Sequence, residues 1–271
     1  MRSFPLVVLL LSTVSFRGFT QILNVEKTRI KGDSANYFVG SVGVDFNINN
    51  RNLDAQGDAI YFIGLNASSD AGYLSEYHSF FLLTQFQYNA TSEQEINSTG
   101  YGHFRVTFLR KRPLAYESFA QVQYDRGRGM TFRRLVGGGI RKRVYQEENS
   151  SLHVGTGIMY EQETWEVPEA RVVEGEGNEV SLGLWKSTNY LSSRAALNRF
   201  ISLNVIAYFQ TGYDDEADFF RHRFSLDANI ITTITSRLAF RTTAGLAYEN
   251  HPVVPITKLV YSVTNGIQLS F

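Results

Sequence analysis

The sequence predicts an all-β fold, a transmembrane antiparallel up-and-down β-barrel of about twelve strands. Three observations carry that prediction. Strand-like alternation recurs along nearly the whole chain, the connections alternate in length, and aromatics and glycine abound without a long apolar run. Residues 258–271, KLVYSVTNGIQLSF, show the alternation most plainly. Leu259, Tyr261, Val263, Ile267, Leu269 and Phe271 are apolar, while Ser262, Thr264, Gly266, Gln268 and Ser270 between them are small or polar. A strand with one greasy and one polar face, ending on an aromatic, suits the closing strand of a membrane barrel. By this parity Asn265 falls on the lipid face at mid-strand. It must either bond across to a neighbouring strand or turn inward on a bulge.

The same period of two appears in 38–49, where Phe38, Val42, Val44, Phe46 and Ile48 alternate with smaller residues. It returns in 60–67, 78–88, 102–108, 116–124, 132–144 and 152–160, then in 180–190, 201–211, 220–232 and 238–248. No segment has helical periodicity, and no charge run or Pro/Ser-rich linker divides the chain, so residues 36–271 read as one domain. Segments 70–72, 111–114, 147–150, 193–196 and the turn near Thr235 read as short turns. Segments 51–56, 90–99, 125–129, 166–179, 212–218 and 250–257 read as loops, mostly longer. Short turns on one side and longer loops on the other mark an outer-membrane barrel with its short turns in the periplasm. An even strand number then puts both termini on the periplasmic side, with Phe271 at that rim, where the outer-membrane assembly machinery reads barrel ends.

A composition of 43% hydrophobic and 14% aromatic residues, with 20 Phe, 15 Tyr, 22 Gly and five Pro, fits long strands in which every second residue faces lipid. Lys+Arg and Asp+Glu both total 26, so bulk charge gives no case for nucleic acid. The absence of cysteine excludes disulfides, thiolate metal sites and a thiol nucleophile. At the N-terminus, Arg2, the apolar 5–14 and Gly18-Phe19-Thr20 read as a signal peptide over 1–20, removed on export, followed by a periplasmic lead over 21–35. Its apolar core is too short to cross a bilayer as a helix.

On the lipid face the sixth strand carries Arg134 and Lys142, far enough apart to sit at opposite interfaces, where a charge costs only about 0–1 kcal/mol. Lys186 and His222 read as lipid-facing near strand ends. The inward set holds Arg105, Arg133, Arg141, Arg143, Arg221, Arg223 and Arg241 against Asp45, Glu117, Asp125, Glu161, Asp227 and Glu249. Glu117 should reach Arg141, and Arg221 should reach Glu249, across adjacent strands. Such a ladder either compensates a filled lumen or, with arginine in excess, lines an anion-selective pore.

Lipid hydrolysis would need Ser and His on one face, and the neighbours His78 and Ser79 point oppositely in a strand, so no catalytic residue is assigned. Asp214-Asp215-Glu216 lacks the ligand spacing of a dedicated Ca²⁺ site, and no metal or other cofactor is expected. Gly137-Gly138-Gly139 is no phosphate cradle, since no helix follows. In a barrel it permits close packing against a large lumenal neighbour such as Phe119. The sequons at Asn66, Asn89, Asn97 and Asn149 are chance matches to a short motif.

Residues 115–144, AYESFAQVQYDRGRGMTFRRLVGGGIRKRV, together with LNVEKTRIKGDSANYFVGSVGVDFNINN before them and YSVTNGIQLSF at the end, resemble the salt-induced outer-membrane protein family, domain of unknown function 481, in its Bacteroidota form. The resemblance implies an integral outer-membrane barrel in contact with membrane lipids and lipopolysaccharide. It brings no catalytic motif, so no site residue follows from it. The resemblance leaves the biochemical role unestablished; the expected role is structural or that of a narrow pore for ions or small solutes, responsive to stress. The alternatives are a lipid-modifying enzyme of phospholipase or deacylase type, and a surface-binding protein using the loops at Glu166 and Asp214.

Overall fold

The structure, a computed structural model, describes residues 36–53, 59–147, 149–167, 178–235 and 238–269. The signal peptide expected over 1–20, the lead expected over 21–35 and the terminal Phe271 lie outside these. Twelve strands follow in chain order: β1 (Tyr37–Leu53), β2 (Ala59–Leu74), β3 (Ser79–Thr91), β4 (Glu95–Phe108), β5 (Leu114–Asp125), β6 (Met130–Gln146), β7 (Ser151–Glu166), β8 (Glu179–Ala196), β9 (Ile201–Asp214), β10 (Phe219–Thr233), β11 (Leu238–Glu249) and β12 (Leu259–Leu269). Each is antiparallel to the next in a single meander. The shortest has 11 residues and the longest 18, enough to cross a hydrocarbon layer as tilted strands.

The meander is rolled, because inward side chains of strands remote in sheet order meet. Tyr208 on β9 touches Arg105 on β4 at 3.2 Å, Tyr190 on β8 touches Glu117 on β5 at 2.6 Å, and Arg223 on β10 touches Glu161 on β7 at 2.7 Å. Among the described residues, however, no pairing joins β1 to β12. The expected closing strand is therefore the sheet's second edge. Behind the seam the inward positions are small or polar: Ser41, Gly43, Asp45 and Asn47 of β1, and Ser262, Thr264 and Gly266 of β12. A Cβ on Gly266 would touch nothing within 4 Å.

Outward positions form apolar rows that cross strand after strand. Phe209, Phe224, Tyr248 and Leu259 are successive register partners over β9 to β12, and all four are exposed. Phe108, Tyr116 and Ile140 form a similar row over β4 to β6. Inside, the buried set is largely polar and charged, the reverse of a soluble core. Asn265 faces outward and accepts a hydrogen bond from Thr242 Oγ1 at 2.8 Å in an unbroken β11–β12 register. The cross-strand bond, not a bulge, resolves it.

The connections correct part of the sequence reading. Residues 70–72 lie inside β2, which reverses at 75–78, and 193–196 lie inside β8, which reverses at 197–200. The loop expected over 90–99 is a tight turn between Thr91 and Glu95, with Thr91 Oγ1 accepting from the Gln94 amide at 3.1 Å. That expected over 212–218 is another, since β9 runs to Asp214 and Asp218 turns the chain with φ 58°. After Asp125 a 3-10 turn over Arg126–Arg128 ends on Gly129, whose φ of 82° suits glycine. The alternation in length therefore rests on two connections, β7–β8 and β11–β12. Both leave the same end of the barrel.

Candidate functional site

The interior is organised in two levels. At the long-loop end, Glu161 and Glu163 on β7 and Glu249 on β11 meet Arg133 on β6, Lys186 on β8 and Arg223 on β10. Arg223 donates to all three carboxylates, at 2.7 Å to Glu161 and 2.6 Å to Glu163, with its Nε on Glu249. Arg133 Nε lies against Glu161 and 3.2 Å from Glu163, and Lys186 Nζ is 2.5 Å from the other Glu161 oxygen. Glu161 is 1% exposed and receives three cations. Three positive groups face three negative ones, and each partner satisfies what burial would otherwise make costly.

Above this layer sits an apolar cap. Trp165 donates its Nε1–H to Glu163 at 3.0 Å and packs with Met130 and with Val254, which is 2% exposed on the β11–β12 connection. Met130 reaches the cap because register shifts after Gln123 and after Met130 leave it opposite both Asp125 and Trp165. Beside it Arg221 bonds Asp214 at 2.7 Å and the His251 carbonyl. The β11–β12 connection thus folds over the charges.

The second level lies toward the short turns. Glu117 accepts from Tyr190 Oη at 2.6 Å and Thr107 Oγ1 at 3.3 Å, and Arg141 Nη1 lies 3.7 Å away. Between the levels is a cavity with an empty volume of about 770 Å³, part of it continuous with solvent. Glycines make room for its aromatic wall. A Cβ on Gly137 would stand 2.6 Å from the Phe119 ring and one on Gly155 2.1 Å from the Tyr190 ring, while Gly139 and Gly157 let β6 and β7 approach backbone to backbone. The glycine run therefore packs against Phe119, as its place opposite that residue predicts.

Of the residues expected inside, Arg105, Arg133, Arg141, Glu117, Glu161 and Asp125 are buried, and Arg221, Arg223 and Glu249 are half-buried. Arg143 donates to the Lys111 carbonyl at 2.5 Å in the rim of short turns, and Asp227 accepts from Asn229 at 2.8 Å. Arg241, on β11, and Asp45, on β1, are exposed near the seam. The expected Arg221–Glu249 pair is replaced, because register sets Arg223 opposite Glu249 and Arg221 opposite Gly212, near Asp214. Lys186, expected outside, points in. Its neighbour Trp185 pairs with Tyr160 on the outer face and is 66% exposed. Arg134 does face outward, bonded to Gln162 at 2.7 Å, and His222 stacks on Phe209 and Phe220 outside.

Glu163 and Asp214 escape a sequence reading that ends the seventh strand at 160 and places Asp214 in a loop. Both are inward strand residues, and the continued alternation to Trp165 is the signal that could have found them. With them, the lining is compensated and its arginine excess shrinks. His78 sits in the β2–β3 turn, accepting from the Leu109 amide at 3.3 Å. Among the described residues no group of three or more His, Asp or Glu could hold a metal.

The sequence matches, over residues 63–264, the family described as "Protein of unknown function, DUF481". This chain belongs to that family. No curated protein matches this DUF481 member. In its fold it is similar to the β domain of the Bordetella autotransporter BrkA, with a TM-score of 0.33 and 10% identity, over 86% of this chain and 99% of the other.

Proposed function

We propose that the chain is an integral outer-membrane barrel, with both termini and the short turns in the periplasm, whose lumen is shut at the long-loop end. The observation that carries this is the inversion of the wall: apolar rows face out while interlocked charges fill the interior. A surface of that kind is unstable in water and suited to lipid. Acyl chains and lipopolysaccharide are then its lateral partners, and the assembly machinery its route in. The barrel serves as a structural element or a gated narrow pore rather than as an enzyme, and the salt-induced character of the resembling family fits a part in envelope stress.

The chain has two tryptophans, which make a direct test. Trp185 lies on the outer face and Trp165 under the cap. In vesicles of brominated phospholipid, Trp185 fluorescence should be quenched and that of a Trp185→Phe variant, which reports Trp165, should not. Equal quenching of both, or of neither, would refute the membrane reading.

A further inference from the structure

We infer that the cavity between the two levels is a binding site for a small carboxylate with an apolar body. Arg105 is the reason. It is 4% exposed, and the groups it touches are uncharged: Tyr208 Oη at 3.2 Å and the faces of Phe119 and Tyr190, each 5.9 Å from its guanidinium carbon. Among the described residues no carboxylate lies within ion-pair distance of it, and its Nε has no hydrogen-bond partner. Among the described residues the other lumenal cations Arg133, Arg141, Lys186 and Arg223 each lie within 4 Å of a carboxylate. Glu117 lies near enough to act on Arg105 through space, but its direct contacts are Thr107, Tyr190 and Arg141. A buried guanidinium with an unpartnered Nε–H suits an anion such as a carboxylate.

The rest of the lining says what else the anion carries. Phe119, Leu135 and Met159 present apolar surface, with glycine backbones where larger side chains would fill the space. His103 Nδ1 is 2.9 Å from Gln121 Oε1, and that oxygen is oriented by the amide nitrogen's bond to Gln123, so in the neutral ring Nδ1 donates and Nε2 accepts. Among the described residues His103 Nε2 and Gln210 Oε1 both lack hydrogen-bond partners, and both residues line the cavity. Two free acceptors and one free cationic donor around an apolar chamber fit a carboxylate whose body also bears a hydroxyl. This inference goes beyond the membrane reading and holds whether or not the barrel conducts.

The test uses the full chain folded in detergent micelles, with 3-fluorotyrosine incorporated and followed by fluorine NMR while 4-hydroxybenzoate or the uncharged 4-hydroxybenzamide is added. The acid should shift the Tyr190 and Tyr208 signals saturably, and the amide should bind at least about tenfold more weakly, the difference of one charge-assisted contact. Arg105→Gln, checked by heat-modifiable migration, should lose the acid by a similar factor. Absence of saturable shifts in the unaltered chain, or equal binding of acid and amide, would overturn the site. Because that comparison needs no variant, it decides even if Arg105→Gln does not fold.

Discussion

Arg223 and Arg105 are both lumenal arginines, and they behave in opposite ways. Arg223 is spent entirely on protein carboxylates, one for each of its three donor nitrogens, whereas Arg105 meets a hydroxyl and two ring faces. The level around Arg223 is a closed ionic lattice under an apolar cap; the level around Arg105 encloses space. Identical chemistry thus builds a seal where the carboxylates converge from β7 and β11, and a receptor where glycines and aromatics leave space and the one glutamate, Glu117, lies beyond ion-pair distance.

Breaking the seal should have the largest effect. Glu161→Leu strands three cations, and the loss of one partner from a buried ion cluster costs about 3–5 kcal/mol. The urea midpoint for unfolding from vesicles should fall accordingly or the heat-modifiable form disappear. Next comes the wall between the levels. A Cβ on Gly139 would lie 2.3 Å from the Thr156 carbonyl oxygen, so Gly139→Val should cost about 1–3 kcal/mol by forcing β6 from β7, read from the same midpoint. Arg105→Gln should cost less than Glu161→Leu, about 1 kcal/mol, since one hydrogen bond and no ion pair is lost. A cost equal to that of Glu161→Leu would erase the contrast between the two levels. The smallest effect belongs to the outer face, where Thr242→Val removes the bond to Asn265 at about 0.6 kcal/mol.

Much of this was legible from period-two alternation alone. Strand number, the inward set around Glu117 and Arg141, and the packing of Gly137 on Phe119 all follow from it, because parity and nearest-neighbour pairing are local properties. The misreadings arise where local pattern is silent. Around Leu184, Trp185 and Lys186 both faces are mixed, so only the pairing of Trp185 with Tyr160 sends Lys186 inward. Contacts across the lumen, such as Arg223 with Glu161 or Arg105 with Tyr208, depend on how tightly the meander curls. No spacing in the chain encodes that. The cap formed by Val254 depends likewise on a loop folding back over the opening, and the unpaired seam on what does not reach across it.

The seal itself is tested most directly by recording currents from the purified chain in planar bilayers. A lumen closed by the Glu161–Arg223 lattice and Val254 should give no steps above the lipid baseline, with insertion confirmed independently by protease protection and heat-modifiable migration. Stable open steps from the unaltered chain would contradict it.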